Sequence, residues 1–242
     1  MIFHDIDGVR IPFDKSWSSI AVSVSGGADS ALLAVILCTL NDNRSTVHLI
    51  NHIRMWKTRP WQQYDFVRVR EWLFGRFPDT EFVIHTNFIA PDLEYGRIGP
   101  SLKDEYDKSV SGDNIQQRAY AEFVCDKHDI PAYYNAVTCN PKTAEFAGMK
   151  ERDIEPSETN QHLVLMEHMG RHACHPFRFT DKSWILKQYK NLDIWDLFEQ
   201  TRSCEGEFEN ITYQTYTPGQ YVPICGECFW CKEREWAIEY TK

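Results

Sequence analysis

Small apolar residues crowd positions 20–24, and short hydrophobic runs of the same kind return at 46–52, 81–87 and 131–137. Between them the period lengthens. Apolar residues recur every three or four positions over 29–40, 61–77 and 114–128, where Ile115, Ala119, Phe123 and Val124 line one face. Strands alternating with helices predict an α/β chain with a mostly parallel sheet covered by helices on both sides, a Rossmann-like arrangement whose ligands bind at the carboxyl ends of the strands. Further on, Asp181 opens a helix, 193–198 supplies a short amphipathic turn, and 232–240 predicts a closing helix. Positions 89–111 and 139–159 show no clean period and predict long loops able to close over the sheet edge. No internal repeat interrupts this order, so 1–242 reads as a single domain, with 200–242 as a C-terminal metal-binding segment.

The first strand runs into Ser25-Gly26-Gly27-Ala28-Asp29-Ser30 and then directly into the first helix. Glycines let successive backbone N–H groups converge on an anion, Ser25 and Ser30 add hydroxyl donors, and the helix start favours negative charge. A phosphate site follows from that context. It is not a Walker A loop, because the lysine of that motif is missing. The plain alternative is an ordinary turn, with Asp29 as a helix-end carboxylate worth a few tenths to about 1 kcal/mol.

Eight cysteines are present, and four of them have metal-ligand spacing. Cys225, Cys228 and Cys231 form two overlapping C-x-x-C steps, and Cys204 can join them from across a loop to make a closed tetrahedral Zn²⁺ site. Redox or sulfur-transfer chemistry is the alternative use of such thiols. Cys38, Cys125 and Cys139 sit in apolar or mixed settings and read as small buried hydrophobes. Cys174, between His172 and His175, is open to local packing or to metal binding.

Composition sets outer limits. With 43% hydrophobic and 25% charged residues, the chain can build a real core. No apolar run approaches the roughly 20 residues of a membrane span. No signal peptide is evident ahead of the first strand, so a reduced, cytoplasmic protein is expected. A net charge of −9 argues against nucleic acid as a main partner. Arg54, Lys57, Arg59, Arg68 and Arg70 make a local basic neighbourhood, read as a solvated helix face with one or two members left for a ligand.

Ser-Gly-Gly-x-Asp-Ser resembles the PP-loop of the N-type ATP pyrophosphatases, enzymes of the adenine nucleotide alpha hydrolase-like fold that split ATP into AMP and pyrophosphate. The resemblance implies that Ser25, Gly26, Gly27, Asp29 and Ser30 hold the departing pyrophosphate, with Asp29 helping to place Mg²⁺. A narrower likeness follows the order of the chain. The loop, then Thr180-x-Lys182, then Thr201-Arg202-Ser203-Cys204-Glu205-Gly206, then Cys225-x-x-Cys228-x-x-Cys231-x-x-Arg234, resembles the 7-cyano-7-deazaguanine synthase family. That likeness implies Zn²⁺ on Cys204, Cys225, Cys228 and Cys231, catalytic roles for Asp29 and Lys182, and a homodimer. It implies an ATP-dependent carbon–nitrogen ligase that adenylates a deazapurine carboxylate, 7-carboxy-7-deazaguanine, and uses ammonia to reach the nitrile.

Departures concern the acceptor. Asn51-His52-Ile53-Arg54-Met55-Trp56 stands where the family shows an Asp-Tyr-Gly-Gln-like run, and Gly112-Asp113-Asn114 replaces Gly-Arg-Asn, with Arg118 one turn on as a substitute cation. His52 and His85, at strand ends, are candidate general bases or plain packing histidines. The alternatives are the same adenylating core acting on another carboxylate or on a tRNA base, and a nucleotide- and zinc-binding module without chemistry.

Overall fold

A computed structural model describes residues 1–54, 61–89, 112–146, 165–168, 171–206, 217 and 222–242. Six strands form one sheet in the order β5-β4-β3-β6-β8-β7: β3 is Ser19–Ser23, β4 Thr46–Arg54, β5 Phe82–Ile89, β6 Ala132–Tyr134, β7 Leu165–His168 and β8 Arg171–Cys174. Every pairing is parallel except β7 with β8. β3 lies inside the sheet, with Ala21 opposite His48 on one side and Tyr133 on the other. Its carboxyl end therefore opens between two neighbours, where ligands settle in sheets of this kind.

Six helices flank the sheet among the described residues: α1 (Ala28–Asn41), α2 (Gln62–Arg76), α3 (Gly112–Lys127), α4 (Lys182–Asn191), α5 (Trp195–Gln200) and α6 (Phe229–Tyr240). Ile20, Val22, Val47 and Leu49 point to one face, where α1, α2, α4, α5 and α6 contribute to one continuous core. Ala21 and Ile50 point to the other, covered by Ala121, Val124 and Cys125 of α3. α1 is apolar almost all round because it is enclosed by the sheet and by α4. Leu32, Leu33, Ile36 and Leu37 are at most 2% exposed, each contributing about 1.5–3 kcal/mol by burial.

Two antiparallel pairings lie outside the sequence-based prediction. β1 (Ile2–Ile6) and β2 (Val9–Phe13) form a separate hairpin around Asp7-Gly8, both at positive φ, the conformation a two-residue turn needs. Ile11 and Phe13 are buried, and the Tyr134 hydroxyl donates to the Pro12 carbonyl at 2.7 Å, tying the hairpin to β6. The second is β7 with β8. The predicted loop 89–111 lies outside the described residues from position 90 onward, as does 147–159 of the second predicted loop.

Candidate active site

The β3–α1 junction forms as the sequence predicts. Val24 continues the ladder, its N–H donating to the Ile50 carbonyl at 2.8 Å, and Gly27 precedes α1. Gly26 has φ +84° and lies so close to α2 that a Cβ would sit 2.5 Å from Asp65 Cβ and 2.7 Å from the Phe66 nitrogen. Both constraints demand glycine. The two serines close the loop on itself. Ser30 Oγ accepts from the Ser25 N–H at 3.1 Å and donates to the Gly27 carbonyl at 3.1 Å, while Ser25 Oγ accepts from the Gly27 N–H at 3.3 Å.

Asp29 and Lys182, distant in sequence, meet directly. Asp181 caps α4, accepting from the Ser183 N–H at 2.9 Å and the Trp184 N–H at 3.4 Å, which fixes Lys182 in the first turn. Lys182 is 2% exposed, and its Nζ donates to both Asp29 carboxylate oxygens at 2.5 Å. A lysine opening a helix would ordinarily be solvated; this one is buried and needs the opposite charge. The buried Tyr189 hydroxyl, donating to the Ala28 carbonyl at 2.7 Å, holds α4 against the same turn of α1. Lys182 thus stands against the first turn of α1, directly behind the loop of residues 25–30.

The four predicted metal ligands also converge. The sulfurs of Cys204, Cys225, Cys228 and Cys231 all lie within 4.8 Å of one another, with 3.5 Å between Cys204 and Cys225 and 3.8 Å between Cys225 and Cys231. An ion at about 2.3 Å from each of four sulfurs requires separations near 3.8 Å, so this set fits a tetrahedral centre able to chelate a metal. Backbone donors complete the shell: the N–H groups of Glu205, Gly206, Cys225 and Cys228 each lie 3.3–3.4 Å from a ligand sulfur. A Cβ on Gly206 would collide with Cys225 Sγ. Hydrogen bonding to Cys228 pushes the Cys204 thiol up to about 11, and the same bond lowers Cys228. Thiols this close share protons until a cation replaces them.

One short segment joins the two sites. After α5, the Arg202 N–H donates to the Gly26 carbonyl at 3.0 Å, Ser203 Oγ lies 3.4 Å from where a Gly27 Cβ would sit, and Cys204 follows. Arg234 of α6 braces this segment, donating to Thr201 Oγ1 at 2.9 Å and to the Phe198 carbonyl at 2.8 Å, with its guanidinium 3.7 Å over the Phe198 ring. Burial lowers Arg234 to about 10.

Asp65 carries no motif and is central here. It is 7% exposed and pushed up to about 6 by burial, against the opposing pull of Arg68 and Arg202. Its i,i+3 pairing with Arg68 is legible in sequence; its contact with Gly26 is not. In the basic neighbourhood, Arg68 and Arg70 are neutralised by Asp65 and Glu71, and Lys57 and Arg59 lie outside the described residues.

His52 meets Tyr120 edge-on, its Nδ1 3.4 Å from Asn87 Nδ2. His85 belongs to a three-ring cluster with His48 and His128. Cys38, Cys125, Cys139 and Cys174 are buried and unbridged. Among the described residues, the four-cysteine set is the single group of three or more Cys, His, Asp or Glu side chains close enough to share an ion, and it does not include Cys174, His172 or His175. None of the described helices is long and apolar enough to cross a membrane.

No protein-family model and no curated protein sequence matches this chain. Among solved structures it is similar to the U34-tRNA thiolase NcsA from Methanococcus maripaludis with its [4Fe-4S] cluster, at 10% identity and a TM-score of 0.46 over 92% of this chain. It is also similar to an NMN synthetase from Francisella tularensis, at 13% identity and a TM-score of 0.43 over 94% of this chain and 88% of that one. A third is the NH3-dependent NAD synthetase from Campylobacter jejuni, at 14% identity and a TM-score of 0.38 over 76% of this chain and 67% of that one. The chain spans 65% of the thiolase's length. At these levels the architecture rests on this chain's own strand order and β3–α1 junction.

Proposed function

We propose that this chain is an ATP-dependent adenylating enzyme of the PP-loop type, acting on a small-molecule carboxylate. The observation that carries the reading is the buried Lys182 ammonium held on Asp29 in the first turn behind a glycine-serine loop. A pyrophosphate group entering the loop would take over the N–H and hydroxyl donors that Ser25, Gly27 and Ser30 spend on one another, Asp29 would offer Mg²⁺ a carboxylate shared with Lys182, and Lys182 brings a positive charge to the same edge.

An acceptor carboxylate oxygen forms a bond to the α-phosphorus of ATP, the bond from that phosphorus to the bridging oxygen breaks, and pyrophosphate leaves with the electron pair. Loop donors and Lys182 stabilise the charge that grows on the departing oxygens, the contribution that dominates phosphoryl and nucleotidyl transfer. Ammonia then displaces AMP from the acyl adenylate to give an amide; for a nitrile product a second ATP adenylates the amide oxygen, pyrophosphate leaves, and AMP departs with that oxygen as the nitrogen gives up its two protons. Cys204, Cys225, Cys228 and Cys231 would hold Zn²⁺ through sulfur alone, and the ion would supply a structural cross-link for the C-terminal segment.

Within this class the first acceptor to test is 7-carboxy-7-deazaguanine, with the nitrile as end product. The second reading is another carboxylate, favoured by Asn51-His52-Ile53 at the end of β4 in place of the family's run. Incubation with ATP, Mg²⁺, ammonia and the deazaguanine acid is expected to release AMP and pyrophosphate and form the nitrile. AMP and pyrophosphate with a different acid selects the second reading, and ADP with phosphate overturns the class.

A further inference from the structure

The α3 face of the sheet carries a second polar row at the carboxyl edge that holds the phosphate loop. Register places Tyr133 beside Ala21 of β3 and Ala173 of β8, so the residues in step with it, Ser23, Asn135 and His175, share its face. Ser23 Oγ and Tyr133 Oη are 2.6 Å apart, and Asn135 hydrogen-bonds the same tyrosine. His175 stands just past Cys174, whose carbonyl accepts from the Asn135 N–H at 2.9 Å. It is therefore two strand spacings, about 10 Å, from β3.

Two arginines raise the positive potential at this histidine. Arg178 belongs to the same tight turn, its N–H donating to the His175 carbonyl at 3.2 Å. Arg118 comes from α3, oriented by Glu122 through a 2.8 Å bond to its Nε. Burial first, and then both arginines, lower His175 to about 4, so its imidazole is neutral and offers one donor and one acceptor. The buried Nε of Arg178 has no hydrogen-bond partner among the described residues. A buried donor left unpaired is destabilising, and a ligand that supplies its acceptor recovers that loss.

We propose that Arg178, with Arg118 and His175, forms the anchoring site for the carboxylate of an acidic acceptor beside the phosphate loop. A planar carboxylate takes Nε and a terminal N–H of one guanidinium together, which supplies the acceptor Arg178 lacks. A net charge of −9 over the whole chain favours a small anion over a polyanion as the occupant. The site rests on the adenylation reading for its purpose, and its test separates the two.

The test is calorimetric titration of the metal-loaded protein with three probes: 7-carboxy-7-deazaguanine, its uncharged methyl ester, and the Mg²⁺ complex of an ATP analogue with a methylene bridge between the α- and β-phosphorus. Arg178→Gln is expected to weaken the acid by about tenfold or more while ester and analogue change less than about twofold, and Arg178→Lys to recover part of the loss. Should Arg178→Gln melt early, Arg118→Gln on α3 carries the same comparison. Acid binding untouched by either variant, or an ester that loses as much as the acid, overturns the site. A parent that binds the analogue and not the acid overturns the site and leaves the loop reading standing. A parent that binds no analogue overturns the loop reading, and the site with it.

Discussion

The N–H of Arg202 donates to the carbonyl of Gly26 at 3.0 Å, and two residues beyond Arg202 the chain enters the four-cysteine cluster at Cys204. The four-cysteine cluster and the loop of residues 25–30 therefore share one short strut, braced from α6 by Arg234. A metal on the four cysteines would draw them together and so order the strut. Removing the metal with a chelator, or through Cys225→Ser, is expected to weaken ATP-analogue binding by about tenfold in addition to loosening the C-terminal segment. Metal content and calorimetric affinity measured on the same sample check this. Full metal loss with unchanged affinity would show that the two sites are independent.

Asp29 and Lys182 differ in exposure, and the difference sets the order of two mutational effects. Lys182 is 2% exposed and the Asp29 side chain 19%, so Asp29→Asn leaves a deeply buried ammonium without its counter-charge, while Lys182→Met leaves a carboxylate that water can reach. Stranding a buried charge costs about 3–5 kcal/mol. Asp29→Asn is expected at that level and Lys182→Met below it, with the double variant less destabilised than the sum. Urea unfolding of the three proteins measures the order. Both single variants are expected to abolish pyrophosphate release while retaining the metal.

Gly26 and Asp65 couple the loop to α2. Gly26→Ala would set a Cβ 2.6 Å from the Asp65 carbonyl carbon at a φ of +84°, two independent penalties on one residue. It is expected to cost about 2–3 kcal/mol and to lose analogue binding, because the loop must open to admit the methyl group. A melting curve and an analogue titration test both parts. Parental affinity in the Gly26→Ala protein would mean that α2, and not the loop, gives way.

Much of this was legible in the chain because local chemistry dictates it. Ser25 to Ser30 needed only a strand before it and a helix after it, and C-x-x-C spacing brings sulfurs together whatever surrounds them. The β1–β2 hairpin is not among the predicted elements, although Asp7-Gly8 between short alternating runs is a hairpin signal. Register between β3, β6 and β8 is a property of the assembled sheet, so the row from Ser23 to His175 could not be read in advance. The burial of Lys182 and the contact of Asp65 with Gly26 are tertiary in the same way.

Two buried groups titrate in opposite senses over one pH range. Asp65 has a folded value near 6, above its ordinary 3.8, because burial disfavours its charge. Its stabilising share is complete below about pH 4 and is lost as pH rises through 6. His48 is 5% exposed, with Nδ1 2.9 Å from His85 Nε2, and is lowered to about 4 by burial first and then by His85 and His128. Its share is complete above pH 6.5 and is lost as pH falls through 4. Each is worth about 2–3 kcal/mol across its window. Replacing one should therefore unmask the other. Relative to the parent, Asp65→Asn is expected to lose more stability on acidification from pH 7 to pH 4, and His48→Gln to lose less. Denaturant midpoints at pH 7, 5.5 and 4 decide it: two variants whose curves run parallel to the parent would mean that neither group titrates in the folded protein as its surroundings require.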